Sequence, residues 1–253
     1  MMIDYRSKIY DKYVSGFRNT PLTVDENAYL RWGLSYDWYF RGWLPGRKDS
    51  SIFDLGCGDG KLLFFYKRKG YLNIHGLDIS QEQVDLARNI VPTVILGNVL
   101  EFLTYTNETY DLISAIDIIE HFTKDEAIFF LDKCFERMNE NGRFILQTPN
   151  PCSLLGLSMR YGDITHETCF SPSLLRNLMR MVGFKNIEIR EAGPVPYNYS
   201  FLSTVRYLLY KVTKLPLMTY QLIESGSRGE GIYTSVQLAS GCKVKSDEAI
   251  KIR

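Results

Sequence analysis

From Ser51 onward, short apolar or β-branched runs alternate with stretches whose apolar positions recur every three to four residues. SIFDLG, NIHGLDI, TVILGN, YDLISAI and GRFILQTPN read as five strands, with residues 61–69, 81–90 and 124–138 as helices between them. Parallel neighbours need crossover connections, so the alternation predicts an α/β domain whose parallel sheet carries helices on both faces. Further on, FSPSLLRNLMRMVGF predicts a helix capped by Ser171, with Pro172 in its first turn and Gly183 as its stop. NIEIREAGPVP reads as a strand closing at prolines, residues 201–224 as a helical stretch broken at Pro216, and GIYTSVQLAS as a last strand. Upstream, residues 5–14 and 27–43 read as aromatic-rich helices joined by a turn near Pro21. The expected organisation is a helical cover over 1–49, a ligand-binding core over 50–194, lid helices and a last strand over 195–240, and a charged, frayed tail over 241–253.

Composition narrows the class. A chain of 253 residues with 45% apolar and 23% charged content is long enough for one main domain. Thirty basic against 29 acidic residues leave a formal charge of +1, so no overall field recruits nucleic acid or an anionic membrane. Cys57, Cys134, Cys152, Cys169 and Cys242 are scattered and form no CxxC pair, which argues against a disulfide framework and a zinc knuckle and for a reducing cytoplasm. The start, MMIDYRSKIYDKY, has no apolar run of the signal-peptide kind, and no stretch reaches the roughly 18 apolar residues of a membrane span. The expectation is a soluble, cytoplasmic protein that does not bind nucleic acid.

The chemistry concentrates where strands end. In a doubly wound sheet, ligands settle outside the carboxyl ends of the strands where the chain order reverses. There the first strand exits through Asp54, Leu55, Gly56, Cys57, Gly58, Asp59 and Gly60, a turn stripped of Cβ atoms so that backbone can lie against a ligand. A dinucleotide loop shares this logic, but the spacing is GxGxG, and Asp59 stands where a helix N-terminus would receive a pyrophosphate. The suggested ligand therefore carries an adenosine and no phosphate. HGLDIS places Asp78 at the second strand's tip, suited to accept from both hydroxyls of a ribose. GNVLEF places Asn98 to meet an adenine edge, and SAIDIIEHF brings Asp117, Glu120 and His121 to the same crevice. Taken singly, a glycine turn is structural and Asp78 is a cap for QEQVDLARNI; in order, at successive strand ends, they describe a binding site.

DLGCGDG, GLDIS, GNVLEF and YDLISAIDIIEHF resemble the ordered motifs of class I S-adenosylmethionine-dependent methyltransferases, from Ser51 to about Ile189. The resemblance implies a Rossmann-like fold with a mostly parallel seven-stranded sheet and S-adenosyl-L-methionine as cofactor. It implies that the loop of Asp54, Gly56, Cys57 and Gly58 passes beside the methionyl part and ribose, that Asp78 and Ile79 hold the ribose, that Asn98 and Val99 contact adenine, and that Asp117 lies near the methionyl end. Many relatives have Asp where this chain has Asn98, which can still accept through its carbonyl oxygen.

Methyl transfer from a sulfonium is an in-line displacement that needs alignment in a dry pocket, and an alcohol acceptor benefits from a positioned base. Of three histidines, His75 lies inside a strand and reads as a packed residue; His121 borders the crevice or organises the next helix. His166, in RYGDITHETCFSPSLL, is the preferred base, with Asp163 orienting it and His121 as the second candidate; the bland alternative is that Asp163 and Thr165 stabilise a turn. Asp163, His166 and Glu167 include metal-binding types, but no second carboxylate cluster is aimed at them, and no metal is assigned. The DITHETCFSPSLL block resembles methyltransferases of lipopolysaccharide and other glycan biosynthesis, which implies a sugar hydroxyl as acceptor. IIEHF also resembles ubiquinone-type enzymes, which leaves a small aromatic or quinone-like metabolite as the alternative, and a non-catalytic S-adenosylmethionine-binding regulator as an alternative of another class.

Two flanking segments add hypotheses. The aromatic stripe of residues 26–43 reads as a helix packed on the sheet or as a cofactor lid, with Arg31 pairing the methionyl carboxylate. In FLSTVRYLLYKVTKL, Phe201, Leu202, Val205, Leu208, Leu209, Val212 and Leu215 share a face, with Arg206, Lys211 and Lys214 supplying charge. That pattern suits a peripheral membrane contact over 201–215, a cover for the active-site mouth or a dimer face; the oligomeric state is open.

Overall fold

A computed structural model describes residues 5–10, 12–18 and 23–244. The expected turn near Pro21 and the tail beyond residue 244 lie outside them. Seven strands form one sheet: β1 (Ser51–Leu55), β2 (Asn73–Asp78), β3 (Val94–Leu96), β4 (Tyr110–Ile116), β5 (Met138–Pro149), β6 (Lys185–Ala192) and β7 (Val236–Cys242), in the order β3-β2-β1-β4-β5-β7-β6. β1 to β5 are mutually parallel, and β7 runs antiparallel between β5 and β6. The expected seven-stranded, mostly parallel sheet is what forms. β7 is an interior strand, so the sheet's core extends past residue 194 to Cys242.

Residues alternate between the two faces of each strand. Phe53, Ile113, Phe144 and Leu146 pack with α5 (Val99–Tyr105), α6 (Lys124–Glu136) and α8 (Pro172–Val182). Ile52, Leu112 and Ile145 turn the other way, toward α2 (Glu26–Tyr39), α3 (Lys61–Arg68) and α4 (Gln81–Arg88). Local signals start these helices. Asp25 caps α2 by accepting from the amides of Asn27 and Ala28, Thr123 and Glu126 form a reciprocal capping box on α6, and Ser171 caps α8 ahead of Pro172. α1 (Tyr5–Tyr10) is shorter than the pattern predicts and gives way to a π-helical turn over Tyr13–Arg18. α7 (Gly156–Tyr161) follows β5.

α9 runs from Phe201 to Ser225 without a break, although Pro216 sits inside it. Proline there removes one helical hydrogen bond. The carbonyl so freed belongs to Val212, which is exposed, so water can replace the bond. α9 packs by its polar side: Ser203 is buried, and Lys214 reaches Glu191 at 2.9 Å. Phe201, Leu202, Leu208, Leu209, Val212 and Leu215 face solvent. Lys214 therefore adds no charge to that apolar face, contrary to the sequence pattern. No helix of the described residues is long and apolar enough to cross a membrane.

Candidate active site

The chain order reverses at β1, which has β2 on one side and β4 on the other, so the loops leaving these strands open onto a shared crevice. The turn after β1 holds Gly56, Gly58 and Gly60 at φ of 71°, 55° and 87°. At Gly56 a Cβ would also stand 2.8 Å from Ile118 Cδ1, so a side chain there would strain the backbone and displace Ile118. The amides of Gly56 and Cys57 donate to the Leu77 carbonyl at 2.8 and 2.9 Å, lacing the turn to β2.

Asp78, at the tip of β2, completes the cradle. Its Oδ2 accepts from the Gly58 amide at 2.8 Å and its Oδ1 from the Ser80 amide at 2.9 Å. Burial raises its carboxyl above the ordinary range, and these amides oppose the rise. The Ile79 amide adds a third backbone donor, so of a carboxylate's roughly four acceptor positions one stays open to a ligand's hydroxyl. The crevice is a cavity of about 1090 Å³, and Gly56, Gly58, Asp78, Ile79, Asn98, Val99, Asp117 and His121 all line it.

Several predicted site residues take other places. Asp54 is buried beneath the loop and does not reach the cavity wall; it accepts from Ser114 Oγ at 2.6 Å. Burial pushes its carboxyl up to about 7 against the pull of that hydroxyl. Cys57 turns into the core against Gly76, and burial pushes its thiol well up. Arg31 is exposed on α2 and absent from the wall, because the helix presents Tyr29, Gly33 and Tyr36 to the sheet and Trp32 to the cavity. Asn98 lines the cavity, but its Oδ1 accepts from the amides of Leu100 and Glu101 at 2.8 and 3.3 Å as the cap of α5. The acceptor intended for an adenine amino group is thus committed to a helix, and the side-chain NH2 is what remains for a ligand.

Asp117 is held at φ 53°. Its amide donates to the Gln147 carbonyl, and its Oδ2 accepts from Gln147 Nε2, both at 3.0 Å; Gln147 Oε1 in turn accepts from the Tyr36 hydroxyl at 2.8 Å. A buried polar chain running from α2 through β5 therefore sets its position.

The histidines converge beside this wall. The His121 and His166 rings meet edge to face at 5.0 Å, although His166 itself does not line the cavity. Nδ1 of His121 lies 3.1 Å from the Thr165 carbonyl, and Nδ1 of His166 lies 2.9 Å from the Met159 carbonyl. A carbonyl only accepts, so each Nδ1 carries a proton, the tautomer that in a neutral ring puts the lone pair on Nε2. Asp163 does not orient His166 as predicted. Its Oδ1 accepts from the Thr165 amide at 2.9 Å and hydroxyl at 2.6 Å, closing a turn, while Met159 fixes the ring. His75 Nε2 donates to Asn73 Oδ1 within its strand and the ring stacks on Phe53, in keeping with a packed residue.

The predicted lid region, 195–240, contributes nothing to the cavity wall. The cover comes from the N-terminal segment: Arg6, Lys8, Tyr10, Tyr13 and Trp32 line the wall, together with Lys61, which pairs with Asp59 at 2.5 Å. Only the aromatic richness of this segment signalled its position in the sequence; nothing singled out Lys8 or Lys61.

A family profile described as a methyltransferase domain matches residues 37–189. Hydroxymycolate synthase MmaA4 of Mycobacterium tuberculosis is 23% identical over 184 residues, covering 71% of this chain and 56% of that protein. O-methyltransferase cnsE of Penicillium expansum is 25% identical over 150 residues, 55% of this chain and 54% of that protein. The chain thus spans about half the length of these curated relatives. A solved S-adenosylmethionine-dependent methyltransferase from Archaeoglobus fulgidus superposes with a TM-score of 0.61 at 20% identity, over 95% of this chain and all of that one. That likeness is one of fold.

Proposed function

This chain belongs to the methyltransferase domain family, and from that premise we propose that it is an S-adenosylmethionine-dependent O-methyltransferase acting on a sugar hydroxyl of a glycan or glycosylated precursor. The observation that carries the cofactor assignment is Asp78, which lines the cavity beside the glycine turn with its carboxylate fixed by the amides of Gly58 and Ser80. A pyrophosphate at the start of α3 would meet the carboxylates of Asp59 and Asp78, so a nucleoside bearing a sulfonium suits the site better than a dinucleotide.

In this reading Asp78 accepts from a ribose hydroxyl, Ile79 and Val99 flank the adenine, and the Asn98 amide donates to a ring nitrogen. The glycine turn and Asp117 border the methionyl part, whose carboxylate lies within the field of Lys8 and Lys61. Asp54 acts beneath the turn as a positioning residue. The cofactor, when bound, supplies an electrophilic methyl group on a sulfonium. The chain's part is to exclude water with its N-terminal cover, align the acceptor, and receive the hydroxyl's proton at Nε2 of His166, with His121 beside it.

The sugar acceptor is supported by the resemblance of the segment carrying His166 to glycan-modifying enzymes. That segment also exposes Leu154, Leu155, Leu157 and Ile164, which favours, as a second reading, an acceptor with an apolar portion. Five cysteines without a disulfide accord with action in the cytoplasm. The test is incubation with methyl-labelled S-adenosylmethionine and separate glycan, lipid and small-metabolite fractions of the host. Label in a glycan fraction, lost in His166→Ala while cofactor binding persists, is the expected result. Label confined to small aromatic metabolites, or no transfer to any fraction, overturns the assignment.

A further inference from the structure

Glu120, His121 and His166 come together although the sequence separates them. One carboxylate oxygen of Glu120 and one ring nitrogen of each histidine lie within 4.8 Å of one another. The geometry points to a divalent transition-metal site formed by these three residues at the end of β4, with an open coordination position toward the cofactor cavity.

Glu120 is 98% buried, its Oε2 accepts from Thr148 Oγ1 at 3.0 Å, and its Oε1 has no hydrogen-bond partner among the described residues. A buried carboxylate oxygen without a donor is costly to retain unless a cation or a proton meets it. Each imidazole sets Nδ1–H on a backbone carbonyl, the arrangement by which metal-ligating histidines are oriented to bind through Nε2. The two segments are also locked together: the amides of Glu167 and Thr168 donate to the Glu120 carbonyl at 2.7 and 3.1 Å, and Thr168 Oγ1 donates to the Phe122 carbonyl at 2.8 Å. The site is therefore preorganised by backbone, as a functional site needs. Two imidazoles and a carboxylate form a set found in catalytic zinc sites, where a fourth position stays open. Bonds of about 2.1 Å place ligand atoms roughly 3–4 Å apart, so the ion draws the three groups slightly closer. Asp163 and Glu167, the metal-binding residue types beside His166 to which the sequence assigned no metal, are not in this set.

His121 lines the cavity, so an acceptor hydroxyl can reach the open position. There the ion would ease ionisation of the hydroxyl, and His166 would hold the ion by Nε2 in place of acting as the base, the proton passing to solvent. The oxygen's electron pair forms the new O–CH3 bond while the C–S pair stays on sulfur, releasing S-adenosylhomocysteine. This role rests on the methyltransferase reading; binding of the ion does not.

The test is titration of chelator-treated full-length protein with cobalt(II) chloride, followed by visible absorption, and with zinc chloride, followed by calorimetry, with no acceptor present. One ion per chain is expected, with affinity at least tenfold weaker in His166→Ala and Glu120→Gln. His166 is only half-buried, so its variant remains informative if Glu120→Gln fails to fold by circular dichroism. Absence of binding by folded wild type, unchanged affinity in folded His166→Ala, or an intense sulfur-to-cobalt band marking a cysteine ligand would overturn the site. S-adenosylmethionine titrated into the metal-free protein tests the cofactor reading separately.

Discussion

Asp54→Asn isolates what burial does to the carboxyl beneath the glycine turn. Asparagine keeps the shape and can still accept from Ser114 Oγ, which stands 2.6 Å away, but it cannot ionise. Burial raises the folded-state value from 3.8 to about 7, while the unfolded chain titrates near 3.9. Between these values the folded protein binds a proton that the unfolded chain does not, so wild-type stability falls as pH rises, by about 1.4 kcal/mol per unit. This contribution is complete below the unfolded value and exhausted above about 7. From pH 5 to pH 8 the wild type should lose about 2.5 kcal/mol that the variant does not lose. Urea unfolding of both proteins at the two pH values measures it: the stability of Asp54→Asn relative to wild type should rise by that amount. A difference that stays constant across the range would refute the buried, proton-holding carboxyl.

The remaining expectations concern the ligand. Asp78→Asn should weaken S-adenosylmethionine binding roughly 10- to 100-fold, the loss expected for charge-assisted hydrogen bonds; calorimetry reads it, and an unchanged Kd would remove Asp78 from the ribose. Gly56→Ala forces a side chain onto a positive φ and against Ile118, so thermal unfolding should show a loss of at least about 1–2 kcal/mol; an unaltered Tm would mean the turn relaxes freely. Arg31→Ala should leave cofactor affinity within about twofold, because the side chain lies outside the cavity, whereas Lys61→Ala should weaken it by roughly the 0.2–1 kcal/mol of an exposed ion pair or more. The reverse ranking would restore Arg31 to the methionyl carboxylate. His166→Ala should lower turnover by roughly 10²–10⁴ with little change in cofactor affinity.

The strands and the cradle could be read from sequence because their causes are local. An apolar run ending in DLGCGDG dictates a buried strand and a bare turn, and the acid closing HGLD has nowhere to stand but the strand's tip. Helix caps at Asp25, Thr123 and Ser171 are likewise short-range chemistry. What sequence could not supply was phase and partnership across the fold. Arg31 and Trp32 are neighbours, and only the packing of α2 decides which meets the cavity. Asn98 looked like a ligand contact, but the first turn of α5 uses its oxygen. His166 was expected to lean on Asp163, a side chain nearby in sequence, and takes instead the Met159 carbonyl, which no residue type could announce. The meeting of Glu120 and His121 with His166 depends on the connection after β5 folding back onto the end of β4. Pro216 misled because its cost depends on whether the orphaned carbonyl reaches water, a property of the packed helix and not of the proline.

Calorimetry of the folded protein with S-adenosylmethionine and with S-adenosylhomocysteine tests the central claim most directly. One molecule bound per chain, with NAD giving no heat, is the predicted result. A folded sample that ignores both nucleosides, or that prefers NAD, would contradict the account at its root.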